Sequence, residues 1–435
     1  MWAGYELPDL GFEAAAPVAS TFEAVYWDTP DLRLLRRGVT LREEGGEWTL
    51  RAPEGRQHKE RQAFFRNAVV LGWTLGEPLG EVARLATERE SFALSNRRGG
   101  VARLACDDVA LLRGERVAAR FRELELTPLD GAPARLLERI EARLREAGAQ
   151  SVDPVPKVIR GLAPAALEPP SALPEAGPDA TAGEAIRARL AAALDRWAEH
   201  QAPLHLDGGP ESVRGIRGGI RALRRDLRVF TPVVDARQAL GRVVDPLTAV
   251  RRLDRLIERA GEGLYEALAA ERAAALEHAR ATSSGPRYAE LLREAAALVE
   301  RPPLPAKSAG QPAADVLPAL VRAPLKRLIR APADDPDRQR KLADRLAAAA
   351  SAAAPYADAK AALAELGELR TVLREHRHAT TAIETLAALA ARSPELAWEA
   401  GLLAGEERTR AAEARNAVAY AFARATRRKL WAWVP

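Results

Sequence analysis

The chain has 435 residues, which favours two domains over one, and 47% of them are hydrophobic, which is enough for packed cores. The net charge of +5 is small for this length, so an anion-binding site has to come from local clustering of cations. One cysteine, Cys106, allows no internal disulfide and favours a cytoplasmic protein. The sequence shows no signal-peptide pattern, no membrane-spanning run and no common zinc, P-loop or serine-hydrolase motif.

Residues 20–130 have the pattern of an antiparallel β domain. Short segments rich in aromatic and β-branched residues predict strands at FEAVYWD, VTLREE, EWTLRA, RQAFF, VARLACDDVALL and RFRELEL. The glycine pairs 45–46 and 99–100 predict hairpin turns. The segment APARLLERIEARLREAG (132–148) then predicts an amphipathic helix that ends at Gly148.

Several of these strands pair a charged face with an apolar face. In RFRELELT, Glu123 and Glu125 alternate with Leu124 and Leu126. One interpretation is a sheet with a solvated outer face. The other is a barrel whose polar interior holds a polyanion together with a carboxylate-bound metal.

The second half of the chain has a helical pattern. The segment 161–183 is rich in Pro, Ala and Gly and is typical of an interdomain linker. From about residue 184 the period is helical, and proline-bearing breaks near 231, 302, 324 and 335 are expected to separate helices. The predicted fold class is therefore α+β, with an antiparallel β domain followed by an all-α domain.

The segment ESVRGIRGGIRALRRDLRVF (211–230) concentrates arginines at a spacing of three and four, which places them in one row on a helix. An apolar stripe lies one position over and predicts packing into a bundle. It consists of Val213, Ile216, Ile220, Leu223, Leu227 and Phe230. Gly218 and Gly219 are expected to thin the surface so that a bulky ligand can approach. The row is a solvated face, a set of cations paired with acids such as those of 262–278, or a polyanion-binding surface.

The segment YWDTPDLRLLRRGVTLREEGGEWTLRAPEG (26–55) closely resembles the signature of CYTH domains, and the resemblance covers about residues 5–165. It implies a β-tunnel with flanking helices, in which basic side chains hold a triphosphate and glutamates bind Mg²⁺ or Mn²⁺. The basic residues that match these positions, or lie in the same region, are Arg42, Arg51, Arg84, Arg89 and Lys157. The glutamates that match the late acidic strand, and so the metal site, are Glu123 and Glu125.

The chain departs from the CYTH pattern at several positions. The family opens with an E-x-E-x-K strand, and this chain starts at MWAGYELPDLG, beyond the expected place of that strand. Glu44 and Ala86 stand where arginines are expected, and Thr127 stands for a glutamate. Because phosphoryl transfer depends on positioned cations and metal, we expect a tunnel that no longer hydrolyses triphosphate. An in-frame upstream E-x-E-x-K segment would instead favour an active enzyme.

The segment PESVRGIRGGIRALRRDLRVFTPVVD (210–235) resembles the opening motif of CHAD domains, V-H-x-x-R-V-x-x-R-R-L-R, and LGRVVDPLTAV (240–250) resembles their L-G-x-x-R-D-x-D-V element. A weaker second copy follows at 326–346 and 373–386. The resemblance covers about 185–435 and implies a duplicated helical bundle that binds inorganic polyphosphate along a basic surface. The predicted organisation is a CYTH-like domain at 1–165, a linker at 166–184 and a CHAD-like domain at 185–435.

The residues expected to bind polyphosphate come from both copies and from a basic segment between them. They are Arg214, Arg217, Arg221, Arg224, Arg225, Arg228, Arg322, Lys326, Arg327, Arg330, Arg340 and Arg345. In the second copy Asp337 replaces the histidine of the motif and Asp344 replaces a lysine, so a shorter phosphate-binding track is expected. His378 occupies the position of the acid in the second L-G-x-x-x-D-like element.

These observations leave three functions open. The leading hypothesis is binding of inorganic polyphosphate, or a related phosphate polyanion, without a cofactor. The first alternative is a triphosphatase that uses Mg²⁺ or Mn²⁺ on a triphosphate or nucleotide in the tunnel. The second is nucleic-acid binding, although the arginine row lacks the interleaved aromatic residues that stack on bases. We expect a bacterial cytoplasmic protein, found at polyphosphate granules and without membrane contact.

Overall fold

The structure is a computed structural model that describes residues 8–435 except 53–55, 98, 151–155, 163–167, 171, 231–233 and 303. It divides into two compact units. Unit 1 comprises Met1–Phe65 and Pro78–Ser171, and unit 2 comprises Arg66–Glu77 and Ala172–Pro435. The short segment Arg66–Glu77 therefore belongs with the helical unit although it interrupts the sheet in sequence, which the sequence analysis did not anticipate. The predicted boundaries at 165 and 185 stay a prediction.

Among the described residues, unit 1 contains an antiparallel sheet of eight strands. They are β1 (Glu13–Ala14), β2 (Val18–Asp28), β3 (Thr40–Glu44), β4 (Glu47–Arg51), β5 (Gln57–Glu60), β6 (Gly80–Asn96), β7 (Gly99–Arg113) and β8 (Arg116–Pro128). Their order in the sheet is β5-β4-β3-β2-β6-β7-β8, and β1 pairs with β6. The turn between β3 and β4 uses Gly45 and Gly46, which both have positive φ, as the hairpin pattern predicts.

The helices of the described residues follow the chain from unit 1 into unit 2. They are α1 (Gln62–Phe64), α2 (Leu71–Thr74), α3 (Ala134–Glu146), α4 (Lys157–Leu162), α5 (Ala182–Glu199), α6 (Gln201–Leu206), α7 (Pro210–Phe230), α8 (Val234–Ile257), α9 (Glu262–Thr282), α10 (Pro286–Glu300), α11 (Ala306–Ala309), α12 (Ala313–Ile329), α13 (Pro336–Ala353), α14 (Lys360–Arg392) and α15 (Ala397–Ala425). Helices α1, α3 and α4 belong to unit 1 and the others to unit 2. An antiparallel sheet followed by a helical region confirms the α+β class, and closure of the sheet into a tunnel stays a prediction.

The two faces of the sheet are covered by different helices of unit 1. Ile140 of α3 is fully buried in one cluster with Leu94 of β6. Val158 of α4 is fully buried in another cluster with Leu85 of β6 and Leu111 of β7. Leu94 follows Leu85 by nine positions in a strand with continuous register. Since this number is odd, the two side chains point to opposite faces. The sheet is therefore packed on both sides near its long strands.

Two elements differ from the sequence prediction. The segment RQAFF (61–65) is not a strand, because β5 ends at Glu60 and the chain then turns through α1 and a π-helical segment, Phe65–Val69. A segment of five residues is too short to separate the two periods, and the fully buried Phe65 and Val69 recur at the four-residue helical spacing. The break near 324 is also wrong, because Pro324 lies inside α12. The expected break near 231 lies outside the described residues.

The packing of α7 fixes the position of its arginines. Five residues of the predicted apolar stripe are at most 1% exposed. They are Val213, Ile216, Ile220, Leu223 and Leu227. The stripe joins a core cluster with residues of α5 and α8, among them Trp197, Leu247 and Val250. This burial confirms the predicted apolar stripe and leaves the arginine row at its edge.

The glycines of α7 serve helix packing rather than ligand approach, which corrects the sequence expectation. A Cβ at Gly219 would stand 2.6 Å from the Ala193 carbonyl oxygen of α5. A Cβ at Gly215 would stand 1.8 Å from the ring of His200. At Gly218 it would stand 3.2 Å from the Arg196 guanidinium. Because these glycines have no side chains, α7 can approach α5 closely.

In the described part of the chain, no helix is both long enough and apolar enough to span a bilayer.

Candidate anion-binding site

The predicted arginines lie along one edge of α7, and we call Arg214, Arg217, Arg221, Arg224 and Arg228 the basic row. The side chains of Arg214, Arg221 and Arg228 are exposed, whereas those of Arg217 and Arg224 are half-buried. Arg225, beside the row, is half-buried as well. The helix thus presents several cations at the border between its packed face and solvent.

Most of the α7 guanidinium groups have no carboxylate partner among the described side chains. The arginines in this condition are Arg217, Arg221, Arg224 and Arg225. Arg221 donates a hydrogen bond to the Thr248 hydroxyl at 3.1 Å. The Nε atoms of Arg217, Arg224 and Arg225 are buried and donate to no described acceptor. Arg214 differs, because it pairs with Glu211 one turn earlier.

Nearby acids pair with other cations. Asp226, the acid within the row, is buried and pairs with Arg189 of α5 at 3.2 Å. The segment 262–278 was expected to supply acids to the row. Two of its glutamates pair elsewhere, Glu271 with Arg392 and Glu277 with Arg280 at 2.7 Å. These three acids therefore pair with arginines outside the basic row and do not neutralise it.

The structure adds cations from two further helices, which the sequence analysis did not select. Arg251 and Arg255 of α8 act electrostatically on Arg217, and Arg370 of α14 acts on Arg225. Arg374, also on α14, acts on His378. A signal was present in the sequence, since Arg251 and Arg255, and likewise Arg370, Arg374 and His378, recur every four residues.

The electrostatic consequence is clearest at Arg217 and His378. Burial, with the charges of Arg221, Arg255 and Arg251, lowers the pKa of Arg217 to about 9. Burial, with the guanidiniums of Arg255, Arg217, Arg374 and Arg221, lowers the pKa of His378 to about 3. Both shifts mean that another positive charge is costly at this place. An anion would relieve the repulsion.

The predicted cations of the second copy are placed differently. Arg340 of α13 pairs with Asp337 at 2.8 Å and lies 3.8 Å from Asp344. Asp344 also accepts a hydrogen bond from Arg370 at 2.9 Å. Arg345 is exposed. Where the second copy carries aspartates, its arginines are thus partly neutralised.

Three of the predicted cations are exposed on α12, and the fourth, Arg330, is exposed directly after that helix ends. They are Arg322, Lys326, Arg327 and Arg330. The strongest charge effects on Arg217, Arg221 and Arg225 come from α5, α7, α8, α13 and α14, and none of them comes from α12. The structure therefore does not bring the α12 set into the cluster around the basic row.

The predicted tunnel residues can be placed by strand register in unit 1. Arg42 lies opposite Tyr26 and Thr49, while Arg51 lies opposite Thr40, which shares the face of Arg42. Direct pairing also puts Arg89, Asp107 and Glu123 in one row across β6, β7 and β8. Continuous register through β2 places these residues and Glu125 on the same face as Arg42 and Arg51. Arg84 lies on the opposite face and pairs with Glu23 and Glu81, both at 3.1 Å.

Three cations and three carboxylates of this face neutralise one another, and we call Arg89, Asp107, Glu123, Glu125, Lys157 and Arg160 the sheet network. Arg42 pairs separately with Glu44 at 3.3 Å. Asp107, with a side chain only 1% exposed, accepts hydrogen bonds from Arg89 and Lys157. Glu123 pairs with Arg160 at 3.2 Å and Lys157 at 3.4 Å. Glu125 pairs with Arg89 at 3.0 Å. Asp107 is the centre of the network but was not among the predicted site residues, because its role depends on register across three strands.

The sheet network does not have the character of a metal site. Glu123 and Glu125, the predicted metal ligands, both pair with cations. In the part of the chain that the structure describes, no three carboxylate, imidazole or thiolate side chains converge as a metal would require. The described residues of the sheet network therefore do not fit a divalent metal.

Comparison with known proteins identifies the helical region. Residues 188–387 match the family model of the CHAD domain. The fold also resembles the crystal structure of the CHAD domain from the plant Ricinus communis, with a TM-score of 0.50 and 21% sequence identity. That match covers 59% of this chain and 96% of the plant domain. The resemblance of the N-terminal region to CYTH domains stays a prediction.

Two curated relatives come from Mycobacterium tuberculosis strains CDC 1551 / Oshkosh and ATCC 25618 / H37Rv. They are named Uncharacterized protein MT2285 and Uncharacterized protein Rv2226. Each is 33% identical over an alignment that covers 29% of this chain and 31% of the relative. The chain therefore matches less than a third of the length of these relatives.

Proposed function

Because residues 188–387 form a CHAD domain, a family linked to polyphosphate binding, we propose that this protein binds inorganic polyphosphate or a related phosphate polyanion. The binding surface is the basic row of α7 with the cations of α8 and α14 beside it. The observation that carries the proposal is the set of unpaired guanidinium groups on α7.

Arginine is suited to this ligand for two physical reasons. Its planar guanidinium forms paired hydrogen bonds with phosphate oxygens, and it stays charged at physiological pH. Buried donors without acceptors, such as the Nε atoms of Arg217 and Arg224, destabilise the unliganded protein. Phosphate oxygens would supply both the acceptors and the negative charge. Binding should release counterions and therefore weaken steeply as salt increases.

The proposal is tested by titrating long-chain polyphosphate at several salt concentrations. We expect the double substitution Arg217→Gln with Arg221→Gln to weaken binding at low salt by about tenfold or more, which is about 1.4 kcal/mol. The matched control is Arg287→Gln with Arg408→Gln, which removes the same charge from exposed positions on α10 and α15. Equal affinity of the two double variants would exclude the α7 surface as the site.

The other two functions become outcomes of the same titration. Tripolyphosphate hydrolysis with Mg²⁺ or Mn²⁺ is followed in the same samples, and we expect none, since Arg89 and Lys157 of the sheet network are already paired with carboxylates. Single-stranded RNA is added as a competitor. RNA that displaces polyphosphate at equal phosphate concentration would favour the nucleic-acid alternative.

A further inference from the structure

The cations around one histidine form a distinct group at one end of the α7 surface. We call Arg217, Arg221, Arg255, Arg374 and His378 the His378 cluster. Its members come from α7, α8 and α14. From this cluster the cations continue through Arg224 and Arg225 toward Arg370, whereas in the other direction Arg214 is paired with Glu211.

None of the four arginines in the cluster forms an ion pair with a described carboxylate. Arg374 donates instead to the Arg370 carbonyl and to the Thr371 hydroxyl, both at 3.0 Å. The acids of adjoining helices are engaged elsewhere. Asp254 pairs with Arg251 and Arg272, and the buried Glu407 of α15 pairs with Arg259 and Arg410. Asp344, which acts electrostatically on Arg221, contacts Arg340 and Arg370. The four guanidinium groups of the cluster therefore have no carboxylate partner among the described residues.

The two copies of the predicted repeat differ in charge at the cluster. In the first copy the element LGRVVD places Gly241 and Asp245 where the second copy, LREHRH, has Arg374 and His378. At these two positions the second copy gains a cation and loses a carboxylate, whereas at a position between them Glu375 replaces Arg242. A neutral imidazole supplies no negative charge to the neighbouring guanidinium groups, so an external anion can still bind to them.

We propose that the His378 cluster is a subsite for a single terminal phosphate group, either the end of a polyphosphate chain or free orthophosphate. A terminal phosphate carries close to two negative charges and three strong acceptor oxygens, whereas an internal phosphate of the chain carries one charge. The four guanidinium groups match the larger charge. The inference rests on the proposed function for the end of a polyphosphate chain, and it stands independently for orthophosphate.

Occupancy of the subsite should also change the protonation of His378. Without an anion, burial and the four guanidiniums hold the pKa of His378 down. A bound phosphate offsets part of this positive field and raises that pKa, so His378 takes up more proton with the anion bound than without it. Of the other charges on adjoining helices, Asp344 acts on Arg221, and Glu258, Asp254 and Glu407 act on Arg255. Arg415, Arg377 and Asp337 act on His376.

The test is isothermal calorimetry of the full chain with inorganic phosphate at constant ionic strength. We expect His378→Asp, which places a carboxylate among the guanidiniums, to weaken phosphate binding at least tenfold. Arg374→Gln, at an exposed position, should weaken it similarly and guards against a folding defect in the first variant. His376→Asp is the matched control, because it makes the same change two residues away on α14 and should leave affinity within twofold.

Two further readouts separate this inference from the proposed function. Near pH 6 orthophosphate that binds as the dianion gives up a proton, so titration in two buffers of different ionisation enthalpy should show less net proton release by the wild type than by His378→Gln. Cyclic trimetaphosphate, which has no end group, should not compete with orthophosphate. Equal phosphate affinity in all variants overturns the subsite even if polyphosphate binds. Orthophosphate binding that depends on His378 in a protein that ignores polyphosphate supports the subsite and rejects the proposed function.

Discussion

Two groups of cations in this protein have opposite surroundings. In the sheet network, Arg89 and Lys157 share the buried carboxylate of Asp107, and further glutamates surround them. On α7, Arg217 has other arginines as its charged neighbours, and Arg221 has Asp344 and three arginines nearby. Neither arginine forms an ion pair with a described carboxylate. The same residue types thus form a closed, internally neutral set in one unit and an open, positive set in the other.

The contrast shows why counting basic residues does not locate an anion site. A cation that is already paired has its hydrogen bonds satisfied, and a ligand has to displace the partner before it binds. An unpaired cation destabilises the unliganded protein through its burial and its repulsion of other cations, and a bound anion offsets both effects. Partner carboxylates, rather than arginine content, therefore separate the two surfaces. The four predictions below test this difference, beginning with the largest expected effect.

The largest effect is expected at the centre of the sheet network. Asp107→Asn keeps the size of the side chain but leaves Arg89 and Lys157 without their buried counter-charge. We expect a loss of about 3 kcal/mol in the free energy of unfolding, because removal of one partner from a buried ion pair is strongly destabilising. The measurement is chemical denaturation combined with hydrogen exchange of the β6–β8 amides.

A control and a pH dependence accompany this substitution. Asp108→Asn, on the opposite face and paired with Arg122 at 3.4 Å in an exposed contact, should cost at most about 0.5 kcal/mol. Burial raises the pKa of Asp107, but hydrogen bonds from Arg89 and Lys157 outweigh it and leave the pKa below 3.8. The stabilisation is therefore present above pH 3.8 and lost as the pH falls through the folded-state value. Equal effects of the two substitutions at neutral pH would contradict the assignment.

The next effect tests whether α7 is held in place by packing rather than by ion pairs. Gly219→Ala puts a methyl group 2.6 Å from the Ala193 carbonyl oxygen, so α5 and α7 must separate. We expect a loss of about 2 kcal/mol by thermal or chemical denaturation. Gly367→Ala in α14, where a Cβ meets nothing within 4 Å, should instead be neutral or stabilising. Similar losses in both variants would mean that helix geometry, not the close approach, sets the cost.

A third pair of substitutions should have opposite signs. Arg217→Gln removes a half-buried cation from like charges and should stabilise the ligand-free protein by about 1 kcal/mol. Lys157→Gln removes a cation from Asp107 and Glu123 and should destabilise it by about 1 kcal/mol. Denaturation in the absence of phosphate measures both. The comparison fails if the two changes have the same sign.

The smallest effect is a pH dependence of stability at His378. Its pKa is about 3 in the folded protein and about 6.5 for an unperturbed histidine. Between these values the unfolded chain binds a proton that the folded protein does not, so wild-type stability falls as the pH drops. We expect His378→Gln to gain stability relative to wild type between pH 8 and pH 6, by about 0.8 kcal/mol. A constant difference across this range would show that His378 is not held neutral.

Much of the fold follows from local patterns. The apolar spacing of Val213, Ile216 and Ile220 predicts α7 and its buried face, because one face of a helix repeats every three to four residues. The long strand β6 was not predicted as a strand, since its charged residues alternate without a clear apolar face. The α12 cations show what the sequence could not predict about the site. Their number and charge are visible in the sequence, but their distance from the basic row depends on the tertiary fold.

The sequence by itself determined the class of this protein, the CHAD resemblance confirmed at residues 188–387, and the row of arginines on α7. These features depend on residues close together in the chain. Only the tertiary structure decided which cations are paired, because Asp107 reaches Arg89 and Lys157 through strand register and helix docking. It also decided that Arg255 and Arg374 join the α7 surface. Charge compensation depends on which residues meet in space, and packing alone settles that.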